Sequence, residues 1–141
     1  MLGILFCIIA GISMSFQGIL NTRLSQKIGL IQSNTIVQGS AFIITLIIMI
    51  IFNKFDFKNL SGINKIYLLG GALGVIITYT VMCGMGRLGA TYAVSTILVA
   101  QLLSAALIDA FGLFGSKKVY FDMTKIIGIS LMIVGIIIFK L

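Results

Sequence analysis

The sequence predicts an all-α integral membrane protein built as a bundle of five transmembrane helices. The chain has 141 residues, of which 60% are hydrophobic and 9% are charged, against roughly 25% charged residues in a soluble domain. A bilayer admits only helices or closed barrels, because each backbone polar group must be hydrogen-bonded internally. Stretches such as residues 43–52 are apolar on both faces rather than alternating, so helices are predicted instead of barrel strands.

The first four helices follow from the lengths of the uncharged runs. These runs cover residues 1–22, 28–53 and 66–86, and a fourth covers residues 88–116 with Asp109 as its single charge. A hydrocarbon core of roughly 30 Å needs about 20 helical residues. We therefore predict helices at residues 2–22, 30–52, 65–86 and 90–114. The first run has no basic n-region and no small-x-small cleavage site, so we expect a retained helix rather than a signal peptide.

The fifth predicted helix is shorter than the others. Its uncharged run, residues 126–139, has 14 residues and would cover only about 21 Å. Lys125 and Lys140 flank the run, and long basic side chains can extend toward the membrane interface. We predict a helix at residues 120–140. The loops are too short for a linker or a soluble domain, so we expect residues 1–141 to form a single five-helix membrane domain.

The composition argues against catalysis, metal binding and cofactor chemistry. The chain has no His and no Glu, and its three carboxylates are Asp56, Asp109 and Asp122. A metal site would lack ligands, and paired acid–base catalysis inside the membrane would lack a second group. Cys7 and Cys83 fall within predicted spans, where we expect packing rather than a disulfide. We predict no enzyme activity and no cofactor.

The basic residues predict membrane orientation rather than nucleic-acid binding. They are scattered one to three per loop despite the formal net charge of +7, and Lys and Arg in loops favour the cytoplasmic side. The side of the N-terminus carries six, Lys54, Lys58, Lys65, Lys117, Lys118 and Lys125, and the other side carries four, Arg23, Lys27, Arg87 and Lys140. This weak bias favours a cytoplasmic N-terminus and leaves dual topology open.

Small residues predict close contacts between helices. In lipid, helices associate where Gly, Ala or Ser lets two backbones approach. Gly70 and Gly74 form such a pair in the third helix, which we interpret mainly as packing within the bundle. Gly128 and Gly135 share one face of the fifth helix, which we assign to a dimer seam. The expected partners are the bilayer, a small solute and a second copy or a paired homologue.

Polar side chains inside the predicted spans suggest a solute site, because unpaired polar groups in lipid are costly and usually functional. Following each predicted helix through the membrane places these side chains at the midplane or in the leaflet that faces the first and third loops. A cavity open to one side of the membrane requires this arrangement. Gln17 and Asn21 are one helical turn apart, and Asn34 and Gln38 have the same spacing. The predicted substrate-binding residues are Gln17, Asn21, Gln38, Tyr79, Ser95 and Gln101.

An equally simple explanation is that the amides join helices without any ligand. Interhelical hydrogen bonds of this kind contribute about 0.6 to 2 kcal/mol. For Asp109, the one acid within a predicted span, a proton-coupling role competes with a structural one. It lies roughly 9 Å from the centre of its helix, where hydration or pairing with Lys117 or Lys118 would explain it as well.

Several motifs together resemble a known family. They are Gln17-x-x-x-Asn21-x-x-Leu24, Gly70-Gly71-x-x-Gly74, Arg87-Leu88-Gly89-Ala90 and Gln101-Leu-Leu-Ser-Ala-Ala-Leu-Ile-Asp109-x-x-Gly112. Their order and spacing resemble the YdcZ-like small membrane proteins of the drug/metabolite transporter superfamily across nearly the whole chain.

The resemblance implies a five-helix transporter of the bacterial inner membrane, a half repeat that pairs with a second half. Members occur as dual-topology homodimers, oppositely oriented pairs or fused inverted repeats. The implied substrate path runs between the first four helices, with the fifth at the dimer contact.

The resemblance also bears on the solute. Related small multidrug exporters carry an acid in their first helix, where this chain has Gln17. A neutral or zwitterionic metabolite is therefore favoured, with a hydrophobic cation stacked on Tyr79 or Phe42 as the alternative.

We accordingly predict a secondary carrier or exporter of a small solute. A passive channel through a dimer pore is one alternative, although the polar positions include no ring of charges for ion selectivity. An accessory membrane subunit without transport activity is the other. Parallel and antiparallel dimers are both open.

Overall fold

The computed structural model describes residues 2–52, 65–116, 118, 119 and 122–140. Most of these residues form five α-helices: α1 Leu2–Ile28, α2 Leu30–Ile51, α3 Gly70–Leu88, α4 Ala90–Phe111 and α5 Met123–Lys140. Short 3-10 segments cover Lys65–Leu69 and Leu113–Gly115. The predicted all-α class is confirmed. The predicted second loop, Lys117 and the start of the fifth helix at residue 120 lie outside the described residues.

The helices have the length and surface of membrane spans. Four of them are long and apolar enough to cross a bilayer, namely Leu2–Ile28, Leu30–Ile51, Lys65–Leu88 with its 3-10 start, and Ala90–Phe111. The fifth, α5, has 18 residues and a length of about 27 Å. Large apolar side chains such as Phe6, Ile47 and Ile76 are exposed. An apolar exterior of this kind is suited to lipid rather than water.

The chain divides into two compact units, Met1–Arg87 and Leu88–Leu141, called here the first and second units. In the first unit the buried side chains are largely small or polar: Asn21, Thr22, Ser25, Ser33 and Asn34, together with Met82 and Met85. In the second unit Ala93 and Ile129 are buried. Polar residues inside and apolar residues outside are the arrangement that a bilayer favours.

Helix α1 extends six residues beyond the predicted end at residue 22 and stops at Ile28. Arg23 and Lys27 do not end it, because basic residues are compatible with helical backbone. Gly29 ends it with a φ of 95°, which a residue with a Cβ rarely adopts. Its N–H donates to the Ser25 carbonyl at 2.9 Å, and its carbonyl accepts from the Ser33 N–H at 3.1 Å. One residue therefore joins α1 to α2.

Two contacts of α1 with its neighbours help to hold the first unit together. The Ser33 hydroxyl, which is fully buried, donates to the Asn21 carbonyl of α1 at 3.4 Å. Gly18 faces α3 so closely that an added Cβ would lie 2.5 Å from Cε of Met85. The space that the missing side chain leaves at Gly18 is therefore filled by the Met85 side chain of α3.

The ends of α3, α4 and α5 also differ from the predicted boundaries. Residues Lys65–Leu69 are 3-10 rather than α-helical, and α3 begins at Gly70. Helix α4 ends at Phe111, not at residue 114, because Gly112 adopts a left-handed conformation with φ 63°. The N–H groups of Gly112 and Val119 both donate to the Asp109 carbonyl, at 3.3 and 3.0 Å. This turn supplies donors to a carbonyl that the end of a helix leaves unpaired.

Asp122 caps the start of α5. Its Oδ1 accepts hydrogen bonds from the Thr124 hydroxyl at 2.7 Å and from the Lys125 N–H at 3.2 Å. The Thr124 hydrogen bond, followed by that of Lys125, lowers the pKa of the Asp122 carboxyl below its ordinary value of 3.8. The cap explains why α5 begins at Met123.

Candidate functional site

The first unit contains a groove between α2 and α3 of about 360 Å³, called here the α2–α3 groove. Its walls are apolar, and its polar groups are two amides, a phenol and two threonines. The lining residues are Ile31, Asn34, Thr35, Gln38, Val75, Ile76, Tyr79 and Thr80. The size falls within the range of small-molecule pockets, which combine apolar walls with a few polar groups.

Gln38 is held in this groove by a short chain of hydrogen bonds. Its Nε2 donates to the Thr78 hydroxyl at 3.2 Å, and that hydroxyl donates to the Gly74 carbonyl at 2.9 Å. Gly74 lies beside the amide, since an added Cβ there would be in ordinary van der Waals contact with Nε2 of Gln38, at 3.6 Å. The remaining oxygen, Oε1, has no donor from another described residue and is available to a solute.

Asn34 lies one helical turn before Gln38, so the two amides share a face of α2. It is 6% exposed, and its Nδ2 donates to the Val75 carbonyl of α3 at 3.0 Å. The buried Oδ1 has no hydrogen-bond partner among the described residues. The sequence hypothesis left Asn34 out of the site, although its spacing from Gln38 was the signal that could have included it.

Tyr79 lines the same groove from α3 and keeps 38% of its surface exposed. Its aromatic ring offers a flat apolar face, and its hydroxyl can donate or accept a hydrogen bond. Of the six predicted binding residues, the structure brings Gln38 and Tyr79 into one groove.

Gln17 and Asn21 line a different groove of the first unit. This groove lies between α1 and α2, has a volume of about 540 Å³ and also includes Ser13 and Ser40. Gln17 is exposed, whereas Asn21 is buried beside the turn. The predicted residues of the first unit are therefore divided between two grooves instead of lining a single cavity.

Ser95 and Gln101 belong to the second unit. Ser95 lines a groove of about 250 Å³ between α4 and α5, which also includes Gly135. Its hydroxyl donates to the Thr91 carbonyl at 2.9 Å, within its own helix. Gln101 is exposed on α4 and lines neither of the two α4–α5 grooves described here.

Asp109 lines the other α4–α5 groove, which has a volume of about 390 Å³. Lys125 and Gly128 lie in the same lining, and both charged side chains are half-buried. Of the predicted pairing partners, Lys117 lies outside the described residues. The Lys118 backbone approaches Gly112, the residue that ends α4.

The predicted packing glycines differ in their surroundings. Gly74 faces Gln38, whereas Cβ atoms added at Gly70, Gly128 and Gly135 would meet nothing within 4 Å. Three of the four glycines therefore present open backbone surface within their own unit, as far as the described residues go.

No group of three or more metal-ligating side chains occurs in the part of the chain that the structure describes. The two cysteines are free, with Cys7 exposed and Cys83 half-buried.

Comparison with known families identifies the class of protein. Residues 2–138 match the family described as "Putative inner membrane exporter, YdcZ". The chain belongs to this family. The resemblance inferred from the sequence motifs is thereby confirmed, and so is the inner-membrane location. The YdcZ family description is that of a transport protein rather than an enzyme. No curated protein and no solved structure matches the chain significantly.

Proposed function

We propose that this protein is a secondary carrier that exports a small solute bound in the α2–α3 groove. The observation that carries the proposal is the convergence of Gln38, Tyr79 and Asn34 on one groove within otherwise apolar helices. Polar groups at membrane depth are expensive and tend to mark substrate pathways. In a family of exporters, a groove with such a lining is the natural binding position.

The lining favours a neutral or zwitterionic solute with an apolar part. The groove offers amide and hydroxyl groups, one aromatic ring and apolar walls. Because none of the described lining residues is charged, a solute with a net charge would be desolvated without a counter-charge from them. The volume of about 360 Å³ suits a molecule of metabolite size.

The proposed working unit is a homodimer, with both parallel and antiparallel arrangements open. The open glycine surface of α5 at Gly128 and Gly135 allows a second helix to approach closely. The near balance of basic residues between the two sides is compatible with both orientations in one membrane.

Asp109 is proposed to couple proton movement to export. A half-buried carboxyl in an apolar groove changes charge when it binds or releases a proton, and Lys125 in the same lining would respond to that charge. This role belongs to the second unit and is separate from solute binding in the α2–α3 groove.

Reconstitution into liposomes tests the proposal. Vesicles loaded with a ¹³C-labelled metabolite extract are placed in a pH gradient, and released solutes are identified by mass spectrometry. Saturable, gradient-driven release supports the carrier. An ohmic current would instead indicate a channel, and no release would favour an accessory subunit.

Asp109→Asn is expected to leave solute exchange intact but to remove its dependence on the pH gradient, and an unchanged dependence would contradict the coupling role.

A further inference from the structure

The orientation of the Asn34 side chain is fixed by its partner. A backbone carbonyl can only accept a hydrogen bond, so the atom that lies 3.0 Å from the Val75 oxygen must be the donor Nδ2. The other terminal atom is therefore Oδ1, an acceptor. Exchanging the two atoms would place two acceptors against each other and leave a buried N–H₂ group unpaired.

The acceptor Oδ1 is a buried oxygen without a hydrogen-bond donor in the described part of the chain. Asn34 is 6% exposed, and its Oδ1 has no donor among the described residues. Buried polar atoms almost always have a partner, and an exception calls for an explanation. Three other buried polar residues of the first unit differ here, since the Thr22, Ser25 and Ser33 hydroxyls each donate to a backbone carbonyl.

The surroundings of Asn34 indicate what could supply the donor. Asn34 lines the α2–α3 groove together with Tyr79 and Ile31, and Ile31 is 70% exposed. A solute reaches the buried amide only if a neighbouring side chain moves, and exposed side chains change rotamer readily. The Gln38 Oε1 belongs to the same helical face, which gives the groove two acceptors one turn apart.

We infer that Asn34 is the contact that selects solutes by their hydrogen-bond donors, taking an N–H or O–H group on its Oδ1. The inference rests on the proposed binding of a solute in the α2–α3 groove. The solute class is a small molecule that combines an amide, amine or hydroxyl donor with an apolar or aromatic body. A fully alkylated analogue, which has no donor, binds more weakly because it leaves the buried oxygen unpaired.

A matched pair of small probes tests this selection directly. Benzamide carries an N–H₂ group, whereas N,N-dimethylbenzamide has the same ring and carbonyl without a donor. Binding of each to the full-length protein in lipid nanodiscs is measured by saturation-transfer titration, with empty nanodiscs as the reference for partitioning. The wild type is expected to prefer benzamide by about tenfold, which corresponds to about 1.4 kcal/mol.

Two substitutions at Asn34 separate hydrogen bonding from shape. Asn34→Leu keeps the approximate size but has no acceptor, and is expected to reduce the preference to about twofold or less. Asn34→Gln keeps both an N–H₂ group that can donate to the Val75 carbonyl and an acceptor oxygen, and is expected to retain the preference. The helicity of Asn34→Leu, compared with that of Asn34→Gln, answers the objection that Asn34→Leu misfolds. Gln32→Leu is the matched control, because it removes an exposed amide of α2 outside the groove.

The outcomes decide between selection and a purely structural amide. Equal binding of the two probes, binding of neither, or a preference that survives in Asn34→Leu would overturn the inference. Solute release from liposomes is measured on the same preparations. Release without a donor preference would leave the carrier standing and remove only the role of Asn34. A donor preference without release would keep the site and refute the carrier.

Discussion

At the residue scale, the polar side chains of the first unit divide into two groups. The hydroxyls of Thr22, Ser25 and Ser33 donate hydrogen bonds to backbone carbonyls, and these bonds join or stabilise helices. Asn34 and Gln38 instead donate to α3, at the Val75 carbonyl and the Thr78 hydroxyl, and each keeps an oxygen that accepts from no donor among the described residues. The structural explanation for polar residues in the spans therefore suits the hydroxyls, and the binding explanation suits the amides of α2.

The packing of Gly18 yields a prediction about stability. A larger side chain at Gly18 must displace Met85 and Val81 of α3, because an added Cβ already lies 2.5 Å from Cε of Met85. Gly18→Leu is expected to destabilise the protein by about 1 to 3 kcal/mol, as over-packing does in tight cores. The measurement is unfolding in mixed micelles followed by circular dichroism.

Gly11 provides the matched control for Gly18. It lies in the same helix, and an added Cβ there would meet nothing within 4 Å. Gly11→Leu is therefore expected to unfold like the wild type. Equal effects of the two substitutions would mean that α1 and α3 do not pack through Gly18.

At the element scale, the uncharged runs predicted the existence of the helices better than their ends. The spans follow from hydropathy and length, which are properties of the sequence alone. The ends at Ile28 and Phe111 depend on backbone conformation at Gly29 and Gly112, both with positive φ. The position of a charged residue says nothing about backbone φ. The first helix was predicted to end before Arg23, which is six residues too early.

The Asp122 cap yields a prediction about α5 and its pH dependence. The hydrogen bonds of the carboxylate lower its pKa below 3.8, so their contribution is complete above that value and is lost as the pH falls through the lower, folded-state pKa. Amide protection factors of Lys125 and Ile126, measured by hydrogen exchange, are therefore expected to fall in acid.

Two variants check this assignment. Asp122→Ala is expected to reduce the protection of the first turn of α5 at every pH, because alanine cannot cap. Asp122→Asn keeps a capping oxygen and is expected to give protection that does not change with acidity. Wild-type protection that stayed as constant between neutral and acidic pH as that of the Asn variant would contradict a role for the carboxylate charge in the cap.

At the scale of the whole molecule, the candidate site could be predicted only in part. The sequence identified Gln38 and Tyr79, which the structure brings together, because polar residues within apolar spans are visible in composition. It joined them with Gln17 and Asn21, which line another groove, because the rotation of a helix about its axis depends on tertiary packing. Asn34 was left out because its unpaired oxygen is a property of three-dimensional contacts.

The homodimer yields a prediction at this scale. Gly135→Leu is expected to reduce dimerisation in liposomes by about tenfold, since it removes the close approach that small residues allow. Gly3→Leu is the control, because both glycines have open space around the added Cβ, but Gly3 lies on α1 and outside the assigned seam. Dimers are counted by single-molecule photobleaching, and equal dimer fractions for the two variants would exclude α5 as the seam.

The most direct test of the central claim is solute release from liposomes by Gln38→Ala compared with Gln32→Ala. Both variants remove an amide from α2, but only Gln38 lines the α2–α3 groove. We predict that Gln38→Ala lowers the initial rate of release by about tenfold or more at unchanged helicity and dimer fraction. We also predict that Gln32→Ala releases solute at the wild-type rate. Equal rates for the two variants, or release by neither variant nor the wild type, would contradict transport through this groove.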